Sequence, residues 1–306
     1  MKCVDALLAG LVDYAGLFPP ASEDMRPALE SYASYLQSAD RAALGRFIVP
    51  ISRLKELDEA GGGLMPRNRR SAPWRLSVLV AEDVGSAADQ IAKFNRDHSP
   101  ASRDGHAVID VAELRASTVD DIGHQRRDLP SSLTTYFEIP LTTDVQSLVS
   151  TIAKVGARAK VRTGGITPES FPRAAALVGF MLACRNENVP FKATAGLHHV
   201  VGGEYRLTYE SGSASGMMYG FLNVFISAAL LYTGESDETA LAAVEETDPS
   251  AFGFEDDAIE WRGKRLGTQQ ILASRAEFAM SFGSCSFREP VDELIDLTRR
   301  ARATDL

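Results

Sequence analysis

Two lysines stand in the sequence pattern that most clearly suggests chemistry. One residue separates Lys160 from Arg162, and one residue separates Lys192 from Thr194. Because side chains alternate along a β-strand, the two members of each pair would share a face. A lysine crowded by other cations has a lowered pKa, and a neutral lysine in a partly dry pocket is a nucleophile toward carbonyl carbon. The pattern therefore predicts a reactive lysine in a cationic cluster, with Glu138 on a neighbouring strand to balance the charge.

Other polar side chains fall late in the apolar runs that resemble strands. They are Asp13, Tyr14, Glu82, Asp110, Glu113, Tyr136, Glu138, Ser281, Ser284, Cys285 and Ser286. Glu113 and Glu138 are candidates for a general base and for the partner of a lysine, or for solvated charges at a strand end. The pattern does not fix the direction in which Asp13 and Tyr14 point.

The elements that must hold these residues alternate between strand and helix patterns. The β-type runs cover residues 11–18, 46–51, 74–81, 106–114, 133–141, 158–165, 190–196 and 279–287. Eight such runs, each followed by a helix, are typical of an α/β fold of the (β/α)8 TIM-barrel type. A doubly wound sheet would carry a glycine-rich fingerprint after its first strand, where this chain has FPPA. We therefore predict a single barrel domain over residues 1–306.

A barrel strand packs one face against helices and directs the other into the lumen. Cations without partners would be costly against the helices. Both pairs, Lys160 with Arg162 and Lys192 with Thr194, are therefore expected to point inward at the C-terminal face, where barrel active sites gather.

The interval between the seventh and eighth runs, residues 197–278, is too long for one loop and one helix. It is predicted to be an insertion that supplies the barrel helix and a small cap. Its apolar segment Met217–Thr233 predicts a buried helix or a subunit interface, which would make the protein a homo-oligomer. Arg262 and Gly263 predict a hairpin turn. After the sixth run, a helix is predicted to open at Thr167.

The composition restricts the class of protein. The 306 residues carry a formal net charge of −9, whereas nucleic-acid binding needs a basic surface, so no nucleic-acid partner is expected. Cys3, Cys184 and Cys285 are far apart, which favours a reducing compartment over a disulfide framework. The apolar run at 217–233 is short of the roughly 20 residues that a membrane span needs. We expect a cytoplasmic protein without a membrane partner.

Three segments in order, AKVRTGG, FKATAG and FGSCSF, resemble the last strands of the deoxyribose-phosphate aldolase group of class I aldolases. The resemblance covers about a quarter of the chain. It implies that Lys160 is the Schiff-base lysine and that Lys192 is the second lysine, which lowers the pKa of the first. The segments FPPA, TAGLHH and GFLNVF also resemble those of an uncharacterised bacterial protein family, which implies no function.

The same resemblance implies how a substrate would be held. Thr163 and Gly164 match a Thr-Gly pair, and Gly283 to Ser286 match a turn that approaches an anionic group. Arg162 replaces a small hydroxyl residue of that family and could clamp a carboxylate in a bidentate manner. The expected substrate-binding residues are Arg162, Thr163, Thr194, His198, Gly283, Ser284 and Ser286.

Several of these residues have an alternative interpretation. The cations and acids could form a purely structural ion network in the lumen. Glu113, Glu138, His198 and His199 could instead bind a divalent metal ion. Cys285 precedes a helix start, where a thiolate is stabilised, or it is a small buried core residue. Ser284 and Ser286 could bind an anion or simply shape the turn.

Three functions follow from these interpretations. The first is a carbon–carbon lyase of the aldolase type, which needs no cofactor and acts on a small anionic carbonyl compound through a Schiff base on Lys160, with Lys192, Glu113 and Glu138 as the other catalytic residues. The second is a metal-dependent lyase, isomerase or hydrolase. The third is a barrel that binds a small anion without catalysis.

Overall fold

The computed structural model describes residues 1–68, 70–81, 83–100, 105–141 and 144–304. Its strands are β1 (Val12–Tyr14), β2 (Leu44–Pro50), β3 (Trp74–Leu79), β4 (Ala107–Arg115), β5 (Thr134–Glu138), β6 (Arg158–Arg162), β7 (Phe191–Thr194), β8 (Gly203–Arg206), β9 (Ser215–Met218), β10 (Phe252–Phe254), β11 (Ala258–Trp261), β12 (Lys264–Gly267) and β13 (Ala279–Ser284).

The helices alternate with these strands and surround them. They are α1 (Lys2–Leu8), α2 (Met25–Tyr35), α3 (Leu54–Gly61), α4 (Val84–Asp97), α5 (Val119–Arg127), α6 (Val145–Lys154), α7 (Ala174–Asn186), α8 (Phe221–Tyr232), α9 (Asp237–Val244), α10 (Thr268–Glu277) and α11 (Arg288–Thr304). Among the described residues, none of these helices is both long and apolar enough to cross a membrane.

Eight parallel strands close into a barrel in the order β1-β13-β7-β6-β5-β4-β3-β2. Closure is visible at β1, where Val12 pairs with Phe282 of β13 on one side and with Leu44 of β2 on the other. Each barrel strand lies within or largely within one of the eight predicted β-type runs. The prediction of a (β/α)8 TIM-type barrel is confirmed.

The helix after β6 begins later than predicted. Pro168–Ser170 form one turn of 3-10 helix, and α7 begins only at Ala174. The reason is Pro172, because the residue before a proline is pushed away from helical geometry. Phe171 accordingly has an extended backbone, with φ −89° and ψ 119°.

The apolar segment after β7 divides into two elements rather than one helix. Met217 and Met218 end the hairpin strand β9, and α8 follows from Phe221. Every residue of α8 from Phe221 to Leu231 is buried within this chain, and Phe221 stacks on Phe282 of β13. The prediction of a buried helix is confirmed. Residues 221–231 are covered by the chain itself, and the predicted homo-oligomer stays a prediction.

Two polar residues within α8 are satisfied by α9 and by the residues that follow it. Asn223 donates from Nδ2 to the carbonyls of Ala243 and Glu246, and Ser227 donates to the carbonyl of Ala240. Buried polar groups are stable when they are paired in this way. These contacts explain how a polar side chain is accommodated in an otherwise apolar helix.

The remainder of the interval 197–278 lies at the two ends of the barrel. The hairpin β8–β9 follows the C-terminal end of β7 and reaches the start of α11 through Tyr209, whose hydroxyl donates to Glu289. The sheet β10–β12 lies at the opposite end, beside α1, where the backbone N–H of Cys3 donates to Asp256. The predicted hairpin turn joins β11 to β12, with φ of 44° at Arg262 and 77° at Gly263.

Candidate functional site

Five charged side chains form a continuous chain of ion pairs across the barrel lumen. Lys192 Nζ lies 2.6 Å from Asp13 Oδ2 and 2.7 Å from Glu113 Oε1. Lys160 Nζ lies 2.7 Å from Glu113 Oε2 and 2.9 Å from Glu138 Oε2. We call Asp13, Lys192, Glu113, Lys160 and Glu138 the lumen ion chain. Its two ammonium groups share one carboxylate.

The strand registers place these side chains together. The Cα of Lys160 pairs with that of Lys192 on β7 and with that of Glu138 on β5. Lys160 and Lys192 are 4% and 1% exposed, and all their partners are inside the barrel. The prediction that both lysines point inward is confirmed.

Asp13 is the member of the ion chain that the sequence left undecided. Besides Lys192, it accepts hydrogen bonds from the hydroxyl of Ser281 at 2.8 Å and from the backbone N–H of Arg46 at 2.7 Å. Tyr14 points the other way, and its hydroxyl donates to Glu23. The sequence signal for Asp13 was a charged residue within a short apolar strand. An unpaired carboxylate, like an unpaired lysine, would be costly against the helices and is therefore expected to point inward.

The charge balance of the lumen differs from the expected one. Three carboxylates accompany the lysines, rather than Glu138 alone. Burial alone would lower the pKa of Lys192, but Asp13 and Glu113 outweigh it and raise that pKa above its usual value. Lys192 therefore stays protonated between its two carboxylates.

The carboxylates respond to the same fields. Burial would raise the pKa of Glu113, but Lys160 and Lys192 hold it well below its usual range. The pKa of Glu138 is also lowered, since Lys160 and Arg162 outweigh its burial. Both groups therefore remain anionic and can accept a proton only when a lysine loses its charge.

A cavity of about 300 Å³ opens at the C-terminal end of the strands. We call it the upper cavity. The polar and glycine residues that line it include Glu113, Lys160, Arg162, Thr194, His198, Gly283 and Cys285. Its apolar wall includes Phe18, Ile48, Leu79 and Ile166. Lys192 is not among the lining residues, so the two lysines differ in access although they share Glu113.

Glycine at 283 and 196 keeps the strand ends close together. A Cβ on Gly283 would lie 3.1 Å from Ile48 and 3.4 Å from the Thr194 hydroxyl. A Cβ on Gly196, which has a φ of 78°, would lie 2.8 Å from Cα of Gly164. A larger residue at either position would push the neighbouring strand ends apart.

Arg162 links the upper cavity to a neighbouring groove of about 480 Å³, which we call the side groove. Its Nε lies 3.2 Å from Glu138 Oε1, and its side chain is 43% exposed. Arg115 and Ser117 line the side groove, and Ser170 lines both spaces. A guanidinium at this junction can hold an anion while a carbonyl group reaches Lys160.

Three of the predicted substrate-binding residues lie elsewhere. Thr163 is fully buried and donates to the carbonyl of Ala195, so it positions the loop after β7 instead of lining the cavity. Ser284 accepts from the N–H of Ser286, and Ser286 accepts from the N–H of Glu289. The two serines shape the turn and cap α11, and the Glu289 carboxylate disfavours an anion there.

The four residues of the predicted metal site are separated by their partners. Glu113 and Glu138 are paired with Lys160, whereas His199 is paired with Glu293 at 2.7 Å. Within the described parts of the chain, no group of three or more His, Cys, Asp or Glu side chains could hold a metal ion. The residues do not assemble a site that fits a divalent metal.

His198 and Cys285 lie together on the wall of the upper cavity. Cys285 Sγ is 3.7 Å from His198 Nδ1, and Glu289 Oε2 lies 3.6 Å from the same nitrogen. Burial would lower the pKa of His198, but Cys285 and Glu289 outweigh it and raise the pKa to about 9.

Other candidate residues lie apart from this cavity. Asp110 pairs with Arg46 at 2.6 Å and with Arg75 at 2.7 Å, and Tyr136 accepts a hydrogen bond from Arg158. These contacts brace the lumen beneath the ion chain. Glu82 lies outside the described residues.

Neither the family models nor the curated proteins that were compared with this chain contain a match to it.

Proposed function

We propose that this protein is a carbon–carbon lyase of the class I aldolase type, in which Lys160 forms a Schiff base with a small anionic carbonyl compound. The observation that supports this proposal most is the position of Lys160. Lys160 lines the upper cavity, and two carboxylates flank its ammonium group within 2.9 Å. A lysine that is buried, paired and yet open to a cavity is suited to covalent chemistry.

The carboxylates provide the proton transfers. Lys160 must lose a proton before its nitrogen can attack the carbonyl carbon, and Glu138 or Glu113 can accept it directly or through water. Glu113 is paired with Lys192 as well as with Lys160, so its negative charge does not compensate Lys160 alone. Attack gives a carbinolamine, and the returned proton allows its hydroxyl to leave as water and form an iminium.

The iminium then serves as the electron sink. When the bond between the α- and β-carbons breaks, its electron pair moves toward the iminium nitrogen and forms an enamine. The β-hydroxyl loses its proton to a carboxylate and becomes the carbonyl of the released fragment. Protonation of the enamine and hydrolysis by one water release the second product and restore the Lys160 amine.

Arg162 is assigned the anionic group of the substrate. It lies at the junction of the upper cavity and the side groove, and its Nε is the atom already paired with Glu138. The terminal nitrogens of its guanidinium can bind a carboxylate or a phosphate. The expected substrate is therefore a carbonyl compound with its anion a few atoms from the reacting carbon.

Borohydride trapping tests this proposal directly. The purified protein is treated with acetaldehyde, pyruvate or dihydroxyacetone phosphate, reduced with borohydride and digested for mass spectrometry. We expect a reduced adduct on Lys160 with at least one of them, and no adduct at that position in Lys160→Met. Lys55→Met is the matched control, because Lys55 is a surface lysine whose side chain is 89% exposed.

The result also separates the competing functions. Labelling that is confined to surface lysines with every probe would overturn the Schiff-base proposal. If anions still bind to such a protein, the result supports a barrel that binds a small anion without catalysis, because a fully paired ion chain can also be purely structural.

A further inference from the structure

A second group of reactive side chains lies in the wall of the upper cavity. Cys285 directly follows the barrel strand β13, His198 follows β7, Glu289 is in the first turn of α11, and Tyr209 belongs to the β8–β9 hairpin. We call these four residues the thiol cluster. Cys285 and His198 line the same cavity as Lys160.

The contacts within the thiol cluster are directed at the sulfur and its neighbouring imidazole. Cys285 Sγ lies 3.7 Å from His198 Nδ1 and 3.6 Å from the Tyr209 hydroxyl. Glu289 Oε2 accepts the Tyr209 hydroxyl at 2.8 Å and lies 3.6 Å from His198 Nδ1. A thiol beside an imidazolium that a carboxylate stabilises is in the environment that favours the reactive thiolate.

The other two cysteines show that this arrangement is specific. Cys3 and Cys184 are both fully buried, and burial raises the pKa of each thiol. Neither one lines the upper cavity. Only Cys285, among the three, combines access to a cavity with an imidazole partner.

We propose that Cys285 is a second nucleophile of the upper cavity, which reversibly captures a small aldehyde as a thiohemiacetal with His198 as its proton carrier. The sulfur attacks the aldehyde carbon, a C–S bond forms and the π bond of the carbonyl opens. His198 is protonated near neutral pH, so the sulfur attacks as the thiolate of a thiolate–imidazolium pair, and the imidazolium passes its proton to the new alkoxide. No redox partner is needed, and the reverse steps release the aldehyde unchanged.

The charges that face this pair favour the proton transfer. Glu289 from α11 stabilises the imidazolium form of His198, while Tyr209 from the hairpin donates to Glu289. Lys160 and Arg162 lie across the same cavity and would stabilise the developing alkoxide. An aldehyde held on Cys285 would thus lie in the space that Lys160 also lines.

Alkylation kinetics test the reactivity of the thiol. The native protein is treated with iodoacetamide near neutral pH, and each cysteine is followed by peptide mass spectrometry. We expect Cys285 to react first, and we expect its rate to fall about tenfold or more in His198→Asn, because the thiolate is the nucleophile. His199→Asn is the matched control, since His199 is paired with Glu293. Equal rates in all three proteins would overturn the proposal.

Carbon-13 NMR with carbonyl-labelled acetaldehyde tests the capture itself. The experiment uses Lys160→Met, in which no Schiff base can form on that residue, so its outcome is independent of the proposed lyase activity. A thiohemiacetal carbon signal is expected in Lys160→Met and is expected to disappear in Lys160→Met with Cys285→Ala. A spectrum that is the same with and without Cys285 would refute the capture, whatever the result of borohydride trapping.

Discussion

Lys160 and Lys192 are neighbours in register, have nearly the same burial and share Glu113, but their surroundings differ. Lys192 is enclosed between Asp13 and Glu113, and its ammonium also lies 5.6 Å from the ring centre of Tyr136. Lys160 lines the upper cavity, and its second carboxylate, Glu138, is shared with the exposed Arg162. Burial and pairing are therefore common to both lysines, and access to the cavity distinguishes the reactive candidate from the structural one.

Removing Lys192 should have the largest effect on stability. Lys192→Met leaves Asp13 buried without a cation and removes one of the two cations of Glu113, and breaking a buried ion pair in this way costs about 3–5 kcal/mol of unfolding free energy. Lys160→Met should cost less, because Glu113 keeps Lys192 and Glu138 keeps Arg162. Urea denaturation of the two variants measures this difference.

Two further results would decide whether the comparison holds. Asp13→Asn combined with Lys192→Met should recover part of the lost stability, since one uncompensated charge is removed. A larger loss in Lys160→Met than in Lys192→Met would contradict the assignment of Lys192 as the structural lysine.

The shared carboxylate should produce an acid-dependent loss of stability. The folded pKa of Glu113 is held far below its usual value of 4.5, so its contribution is complete above that value and is lost as the pH falls toward the folded pKa. Thermal unfolding measured from about pH 7 to about pH 3 should therefore show a falling midpoint. Glu113→Gln should lower the midpoint at neutral pH and flatten its decline in acid.

An exposed acid provides the control for this pH dependence. Glu30 is 54% exposed and is paired with Arg26 on the surface. Glu30→Gln should leave the acid slope unchanged. An equally steep decline in Glu113→Gln would show that other carboxylates control the acid limb.

Arg162 provides a way to sharpen the functional half of the comparison. If its guanidinium binds the anionic group of the substrate, Arg162→Gln should raise KM about tenfold and change kcat less, as expected for the loss of a charge-assisted contact. Steady-state kinetics with a substrate identified by trapping provides the measurement. Arg115→Gln should have a smaller effect, because the side chain of Arg115 is 77% exposed. Equal effects would place the anion in the side groove rather than at its junction with the upper cavity.

The smallest expected effect concerns Ser286. Since Ser286 accepts the N–H of Glu289 at the start of α11, Ser286→Ala should cost about 1 kcal/mol of unfolding free energy. It should leave KM unchanged, as a residue outside the cavity would. An increase in KM would instead support the prediction that this turn binds the anionic group of the substrate.

The sequence predicted the barrel because local hydrophobic periodicity encodes strands and helices. It also predicted that the side chains of Lys160 and Lys192 point into the barrel, since a cation between the sheet and the helices would lack a partner. It did not reveal Asp13 as a partner of Lys192, because these residues are 179 positions apart and meet only where β1, β13 and β7 lie side by side.

Local patterns also failed where the neighbours of a residue decide its role. The Gly283–Ser286 segment resembled an anion-binding turn. In the structure, however, the hydroxyls of Ser284 and Ser286 accept backbone N–H groups of the turn and of the first turn of α11. His198 and His199 are adjacent in sequence and face different partners, Cys285 and Glu293. In each case the residue type indicated a possible role, but the sequence did not predict which groups would be its hydrogen-bond partners.

The sequence by itself determined the number and order of the barrel strands and which lysines had to point inward. The tertiary structure alone decided how the charges pair, which lysine meets the cavity, and that Cys285 lies beside His198. The physical reason is that periodicity and burial act along a short segment, whereas a pKa or a reactive pair depends on groups that distant strands bring within a few ångströms.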